Sequence, residues 1–63
     1  NGNVNVGNVS CLDGRNNLIV ASSENIVIDG LSDIYIIENN GNIILGRRDN
    51  VSRIKDLKNF IKG

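Results

Sequence analysis

The residues that could carry out chemistry in this chain are few. Nucleophilic catalysis needs an activated Ser, Cys or Lys beside a base, yet the 63 residues contain no histidine and a single cysteine, Cys11. No residue next to Cys11 in sequence would activate its thiol, so its expected role is that of a small buried hydrophobe. The same counts exclude a disulfide within the chain and a Cys/His metal set.

Two other groups have side chains suited to chemistry. Asp29 and Asp33 flank Gly30, and paired carboxylates can act as general acid and base, but this spacing around a glycine is more typical of turn capping and of solvating a sheet edge. Gly46, Arg47 and Arg48 stand between a strand and a helix start, where two arginines could clamp a phosphate. Without a Gly-rich phosphate loop this signal is weak. We therefore assign no catalytic, cofactor-binding or metal-binding residue within the chain.

The charges are unevenly distributed although the net charge is zero. Residues 1–46 have one basic residue against five acidic ones, a balance of −4, and residues 47–63 have six against two, a balance of +4. A basic helix could bind nucleic acid or an anionic membrane. Because no aromatic residues interleave with the basic ones, we favour a basic helix lying against an acidic sheet. No apolar run reaches the 18 or so residues of a membrane span, and no leader pattern is present. We expect no nucleic-acid and no membrane partner.

Short runs of β-branched residues predict strands. The opening "NGNVNVGNVSCLDGRNN" alternates valines with small polar residues, as a weak half-buried strand does, and residues 1–6 are open to disorder. Strands are predicted at Leu18 to Ala21 and at Glu24 to Asp29, followed by a bend or bulge at Gly30. "IYIIE" is apolar on both faces, so it should be a central, covered strand.

The strongest local signal is "NNGN". Asn40-Gly41 fits the two central positions of a type I′ turn, where both residues need positive φ. The flanking runs "IYIIE" and "IILG" should therefore form a hairpin.

A helix is predicted over about residues 50–62. Asp49 or Asn50 can cap its start, and Gly63 stands where a helix stop belongs. One apolar stripe, widened at its end by Phe60, should pack on the sheet, since the chain has no other element to cover it. That stripe consists of Val51, Ile54, Leu57 and Ile61. The alternative is a helix that binds a partner through the same stripe.

Together these features predict a mainly β fold in a single domain over residues 1–63: a small β-meander or a short β-helix-like sheet with one C-terminal amphipathic α-helix. Strand spacings of eight to ten residues fit either arrangement. A chain this short buries only about 60% of its unfolded surface. With no disulfide or metal, it should be a fragment or be stabilised by another domain or a second copy, and its start without methionine suits a fragment.

From Gly7 onwards the sequence resembles the C-terminal domain of bacterial mannose-1-phosphate guanylyltransferases. The resemblance rests on the order of several features: Gly7-Asn8 followed by Asp13 and Asn17, the step "IDGLSD" at residues 28–33, the strand "IYIIE", the turn and strand of residues 39–45, and the helix start "SRIK" at residues 52–55. It extends to about residue 62.

That resemblance implies a parent enzyme that converts GTP and mannose-1-phosphate to GDP-mannose and pyrophosphate. Its phosphate loop, metal carboxylates and sugar site would lie in an N-terminal Rossmann-like domain, so Mg²⁺ is implied for the parent and no cofactor for these residues. The partners implied are the catalytic domain of the same chain and a second copy in a homodimer, in the cytoplasm. A stand-alone β-rich interaction module is the alternative, and a nucleic-acid binder using the basic helix is the third.

Overall fold

The computed structural model describes residues 2–61, which form six strands followed by a helix. The strands are β1 (Val4–Val6), β2 (Val9–Leu12), β3 (Leu18–Ala21), β4 (Ile26–Asp29), β5 (Ile34–Asn39) and β6 (Asn42–Arg47). The C-terminal helix, residues 48–60, has one α-helical turn at Ile54–Leu57 between the 3-10 segments Arg48–Arg53 and Lys58–Phe60.

The chain winds between two sheets. β1, β3 and β5 pair in parallel in a four-stranded sheet of order β1-β3-β5-β6, and β2 pairs in parallel with β4 in a second sheet. Successive strands from β1 to β5 thus belong to alternate sheets, as in the coils of a short β-helix. Among the described residues only the β5–β6 hairpin is antiparallel. Of the two arrangements that the sequence left open, the β-helix is confirmed.

One coil of this β-helix takes 17 residues where the coils are complete. Val9 aligns with Ile26 and Leu18 aligns with Tyr35, both 17 residues apart. The spacings of eight to ten residues seen in the sequence are therefore half-coils, each ending in a change of sheet. At the first corner Gly7 has φ 92°, and a Cβ there would collide with the carbonyl oxygen of Ala21, so no side chain fits.

The core lies between the two sheets. Ile19 and Ile36 of the larger sheet meet Ile28 of the smaller one, and all three are buried. Cys11 packs against them together with Val9, Ile26 and Ile34, but it is half-buried rather than buried as expected. Burying an isoleucine side chain contributes about 1.5–3 kcal/mol, so a core with three buried isoleucines is small.

The predicted hairpin and the predicted central strand are confirmed in their main features. Asn39 pairs with Asn42, and Asn40 and Gly41 have φ values of 52° and 82°, as a type I′ turn requires. β5 is central, with Tyr35 and Ile36 buried on opposite faces. Val4–Val6, within the stretch open to disorder, forms β1; residue 1 lies outside the described residues.

The helix differs from prediction at its start. It begins at Arg48 rather than near residue 50, and neither Asp49 nor Asn50 caps it, because the residue before it is Arg47 and no side-chain cap bond forms. The Arg48 amide instead donates to the Asp33 carbonyl at 2.8 Å, so the backbone of the β4–β5 loop satisfies one of the free amides at the helix start.

The apolar stripe of the helix is half-buried along its whole length. Ile61 and the exposed Lys58 line an open cleft together with Ile37 and Ile44 of the outer face of the larger sheet. Phe60 does not widen the stripe as predicted, since 81% of it is exposed. The predicted helix end at residue 62 and the stop at Gly63 lie outside the described residues.

Candidate interaction surface

The aspartates considered for acid–base chemistry take part in local structure. Asp33 has φ 60° and accepts a hydrogen bond from Asn16 Nδ2 at 2.6 Å, and Asp29 is an exposed residue at the end of β4. Within residues 2–61 no three His, Cys, Asp or Glu side chains lie close enough to hold a metal ion.

Arg48 binds the corners of the stacked coils. Gly2, Asn16 and Asp33 occupy equivalent places, each two residues before one of three aligned strand positions, and each has positive φ. The Arg48 Nη1 group donates to the Gly2 carbonyl at 3.0 Å and to Asn16 Oδ1 at 2.9 Å. Its guanidinium therefore joins coils that are far apart in sequence.

Arg47, the other arginine of the Gly46–Arg48 segment, forms an ion pair with Asp49 at 2.9 Å between two exposed side chains. An open cleft beside it is lined by Asn16, Asp33, Arg48 and both members of this pair. Two carboxylates in that cleft disfavour an anion, and the arginines already have protein partners. The arrangement is that of a structural corner rather than a phosphate clamp.

Asparagine side chains join successive coils in a way that the sequence analysis missed. Asn3 Oδ1 accepts from the Asn17 amide and Asn3 Nδ2 donates to Gly14 O. One coil further on, Asn17 Oδ1 accepts from the Ile34 amide and Asn17 Nδ2 donates to Leu31 O. Asn17 is fully buried, and both ends of its amide are thus satisfied. Asn3 and Asn17 each stand one residue before the aligned Val4 and Leu18, so a comparison of the sequence with itself at an offset of 14 could have aligned them.

Glu38 is the second buried polar residue that sequence reasoning missed. It is 1% exposed at a position where a strand would ordinarily bury an apolar side chain. Its Oε1 accepts from the consecutive amides of Ser22, Ser23 and Glu24 at 2.9–3.0 Å. Its Oε2 accepts from the Ser23 hydroxyl at 2.7 Å and from the Gly41 amide at 3.3 Å.

These hydrogen bonds stabilise the ionised carboxylate. Those from the backbone and the hydroxyl of Ser23, followed by that from the Glu24 amide, lower the pKa of Glu38 to about 2, against an opposing effect of burial. The carboxylate joins the β3–β4 turn to the β5–β6 turn. Because every donor comes from the protein itself, Glu38 has a structural role at this end of the coils.

The basic residues of the helix after Arg48 face solvent. Arg53, Lys55 and Lys58 are all exposed, and Lys62, the last basic residue of the chain, lies outside the described residues. The one helical aromatic, Phe60, stands beyond Lys58 at the end of the helix. No helix within residues 2–61 is long and apolar enough to cross a membrane.

The remaining surface feature is a set of exposed apolar side chains. Val27 and Leu12 are 73% and 59% exposed on the outer face of the smaller sheet. Ile43 and Leu45 are 64% and 60% exposed on β6, on the same face as the buried Ile36. They are exposed because the smaller sheet ends at β4 and no further strand within residues 2–61 covers β6. We call the free side of β6 with these two side chains the β6 edge.

Comparison with solved structures finds a likeness in fold. The fold is similar to part of the crystal structure of mannose-1-phosphate geranyltransferase from Thermus thermophilus, with a TM-score of 0.71 and 16% sequence identity. The likeness covers 90% of this chain and 18% of that one, so the chain spans under a fifth of its neighbour's length. No protein-family model and no curated protein matches the sequence. The likeness shows a fold shared with a short part of a much longer protein.

Proposed function

We propose that residues 1–63 form a non-catalytic C-terminal assembly domain of a nucleotidyltransferase similar to mannose-1-phosphate guanylyltransferase. The parent would convert GTP and mannose-1-phosphate to GDP-mannose and pyrophosphate. The observation that carries the proposal is the fold likeness over 90% of this chain to a short part of a transferase named for mannose-1-phosphate. The sequence resemblance independently suggests the same sugar phosphate and a guanylyl group as the one transferred.

The chemistry of the described residues supports a role in assembly. The buried polar side chains Asn17 and Glu38 are occupied by backbone partners, and Arg48 binds the coil corners. The apolar surface at β6 and Phe60 is instead suited to packing against another protein surface. The catalytic domain of the same chain and a second copy are the proposed partners, Mg²⁺ is the cofactor proposed for the parent, and the cytoplasm is the proposed location.

The test compares the 63-residue chain with the polypeptide that contains it. Each is mixed with GTP, mannose-1-phosphate and magnesium, and pyrophosphate release is measured. We expect release by the parent and none above the buffer blank by residues 1–63. Turnover by the short chain would overturn the non-catalytic assignment, and a parent that is inactive on these substrates would overturn the guanylyltransferase assignment.

A stand-alone β-rich interaction module is the second candidate, favoured by the exposed apolar residues of β6. It predicts that the gene encodes little beyond this domain. Sequencing the complete reading frame distinguishes the two, because an assembly domain requires a catalytic domain in the same chain.

A further inference from the structure

The β6 edge has the features of a strand-pairing site. β6 is six residues long and lies at the end of the sheet order, so within residues 2–61 only β5 pairs with it. An edge strand presents a row of free backbone donors and acceptors, which natural proteins protect with charges, prolines or bulges. From Asn42 to Gly46 this strand contains no charge and no proline, and its pairing with β5 is continuous, without a bulge. The backbone chemistry therefore calls for another strand as the partner.

The opposite edge of the same sheet is a poorer candidate. β1 spans only Val4–Val6, and an asparagine and a glycine flank it. Three residues offer half the backbone groups of β6. The side chains at β6 also add more apolar surface, since Ile43 and Leu45 are 64% and 60% exposed against 45% and 52% for Val4 and Val6.

We infer that β6 pairs antiparallel with β6 of a second copy of this chain, about a two-fold axis through Ile44. In that register Ile43 lies opposite Leu45 of the second copy, and Asn42 lies opposite Gly46. Directly opposite residues of an antiparallel pair project from the same face. The four exposed apolar side chains then form one cluster on the face that the smaller sheet leaves open.

Neighbouring registers are less favourable. A shift by two residues in one direction sets Arg47 opposite Ile43, which places a charge against an apolar side chain. A shift by two residues in the other direction sets Leu45 opposite Gly41, which has no side chain to contact it. Only the axis through Ile44 places Ile43 of each copy opposite Leu45 of the other copy.

A second copy is also electrostatically acceptable. The net charge is zero, so two copies have no net repulsion. A domain of this size with a small aliphatic core also gains from an isologous contact that extends its sheet. This pairing deepens the proposed assembly role. The biological purpose of the contact rests on that proposed function, whereas the pairing itself does not.

The first test is sedimentation of the 63-residue chain over a range of concentrations. We expect the 6.8 kDa mass to double as concentration rises, and Leu45→Lys or Ile43→Lys to abolish the doubling. The matched control is Val27→Lys, at a comparably exposed valine on the other sheet, which should leave the doubling intact. Circular dichroism confirms that each variant is folded; two lysine positions are tested so that one misfolded variant does not decide the result.

The second test measures the register. In a Cys11→Ala background, chains with Ile43→Cys and chains with Leu45→Cys are oxidised separately and as a mixture. We expect a disulfide-linked dimer in the mixture and little in either chain alone. A monomer at all concentrations, a dimer indifferent to both lysine substitutions, or cross-linking by Ile43→Cys alone would overturn the inference. Since neither test uses nucleotide or sugar, these outcomes are separate from any failure of the proposed enzyme activity.

Discussion

At the scale of single residues, Glu38 links pH to stability. Its pKa of about 2 in the fold lies below the ordinary value of 4.5, so folding favours the ionised form. A depressed pKa contributes stability that is fully present above the unfolded value and is lost as pH falls towards the folded one. Between about pH 4.5 and 2 the chain should therefore lose stability as its unfolded state takes up this proton first.

The measurement is the urea midpoint across that pH range for the wild type and for Glu38→Gln. We expect the variant to be less stable at neutral pH, because its side-chain amide replaces one of the two accepting oxygens with a donor, and to lose part of the acid dependence. Glu24→Gln, at an exposed side chain, is the matched control and should keep the wild-type profile. Identical acid profiles for wild type and Glu38→Gln would contradict the role given to this carboxylate.

Gly41 tests the hairpin at the same scale. A Cβ at this position would meet no atom within 4 Å, so the effect of Gly41→Val comes from the backbone, whose φ is 82°. A β-branched residue at positive φ costs about 1–2 kcal/mol, a sizeable share of the stability of a small domain. Chemical denaturation measures the loss. Gly41→Asn should cost less, because asparagine adopts positive φ more readily than valine does. An unchanged midpoint in the valine variant would mean that the turn is misplaced.

At the scale of elements, the features that could be predicted from the sequence are those that local interactions determine. The turn at Asn40-Gly41, the strand at Leu18 to Ala21 and the helical stripe all follow from neighbouring residues, and the structure has each of them. What depends on distant partners was either left open, as between a β-meander and a β-helix, or missed. Parallel pairing joins residues 17 positions apart, and the backbone of Asp33 supplied the helix start. The burial of Glu38 depends on three amides from another turn, which no local pattern reveals.

The helix provides a prediction at this scale. Leu57 is half-buried, so Leu57→Ala should cost about 1–2 kcal/mol, roughly half the effect of a fully buried leucine. Ile36→Ala, in the core, should cost about 2–5 kcal/mol. Lys55→Gln, on the exposed side, should change stability by about 0.5 kcal/mol or less. Denaturant midpoints of the three variants test this order. A lysine variant as destabilised as Leu57→Ala would mean that the helix presents a different face to the sheet.

At the scale of the whole molecule, the fold is thin, with exposed sheet edges and a small buried core. Its extents are 33 × 24 × 15 Å, and the core is bounded by two short sheets. The stacked coils are held together by Asn17, Arg48 and Glu38 as well as by the isoleucines between them. Free sheet edges, rather than a cleft lined with reactive groups, are the main feature that this architecture offers to partners, which agrees with a role in assembly.

The distribution of charge over the whole molecule leads to the last prediction, which separates assembly from nucleic-acid binding. Exposed Arg53, Lys55 and Lys58 belong to a segment whose +4 charge is balanced by −4 in the rest of the chain. Binding to phosphates releases counterions, so it weakens steeply with salt, and single-stranded binders add stacking on aromatic side chains. Here one exposed aromatic, Phe60, accompanies the basic residues.

We therefore expect no retention on heparin or DNA at physiological salt. The comparison is between the wild type and the double variant Lys55→Gln/Lys58→Gln, with retention followed from low salt upwards. Both should elute together once salt approaches the physiological range, because a molecule of zero net charge gains little from phosphate contacts there. Strong, salt-sensitive retention of the wild type that the double variant loses would instead assign the helix to nucleic-acid binding. The apolar stripe of the helix would then serve to support its basic, nucleic-acid-binding side.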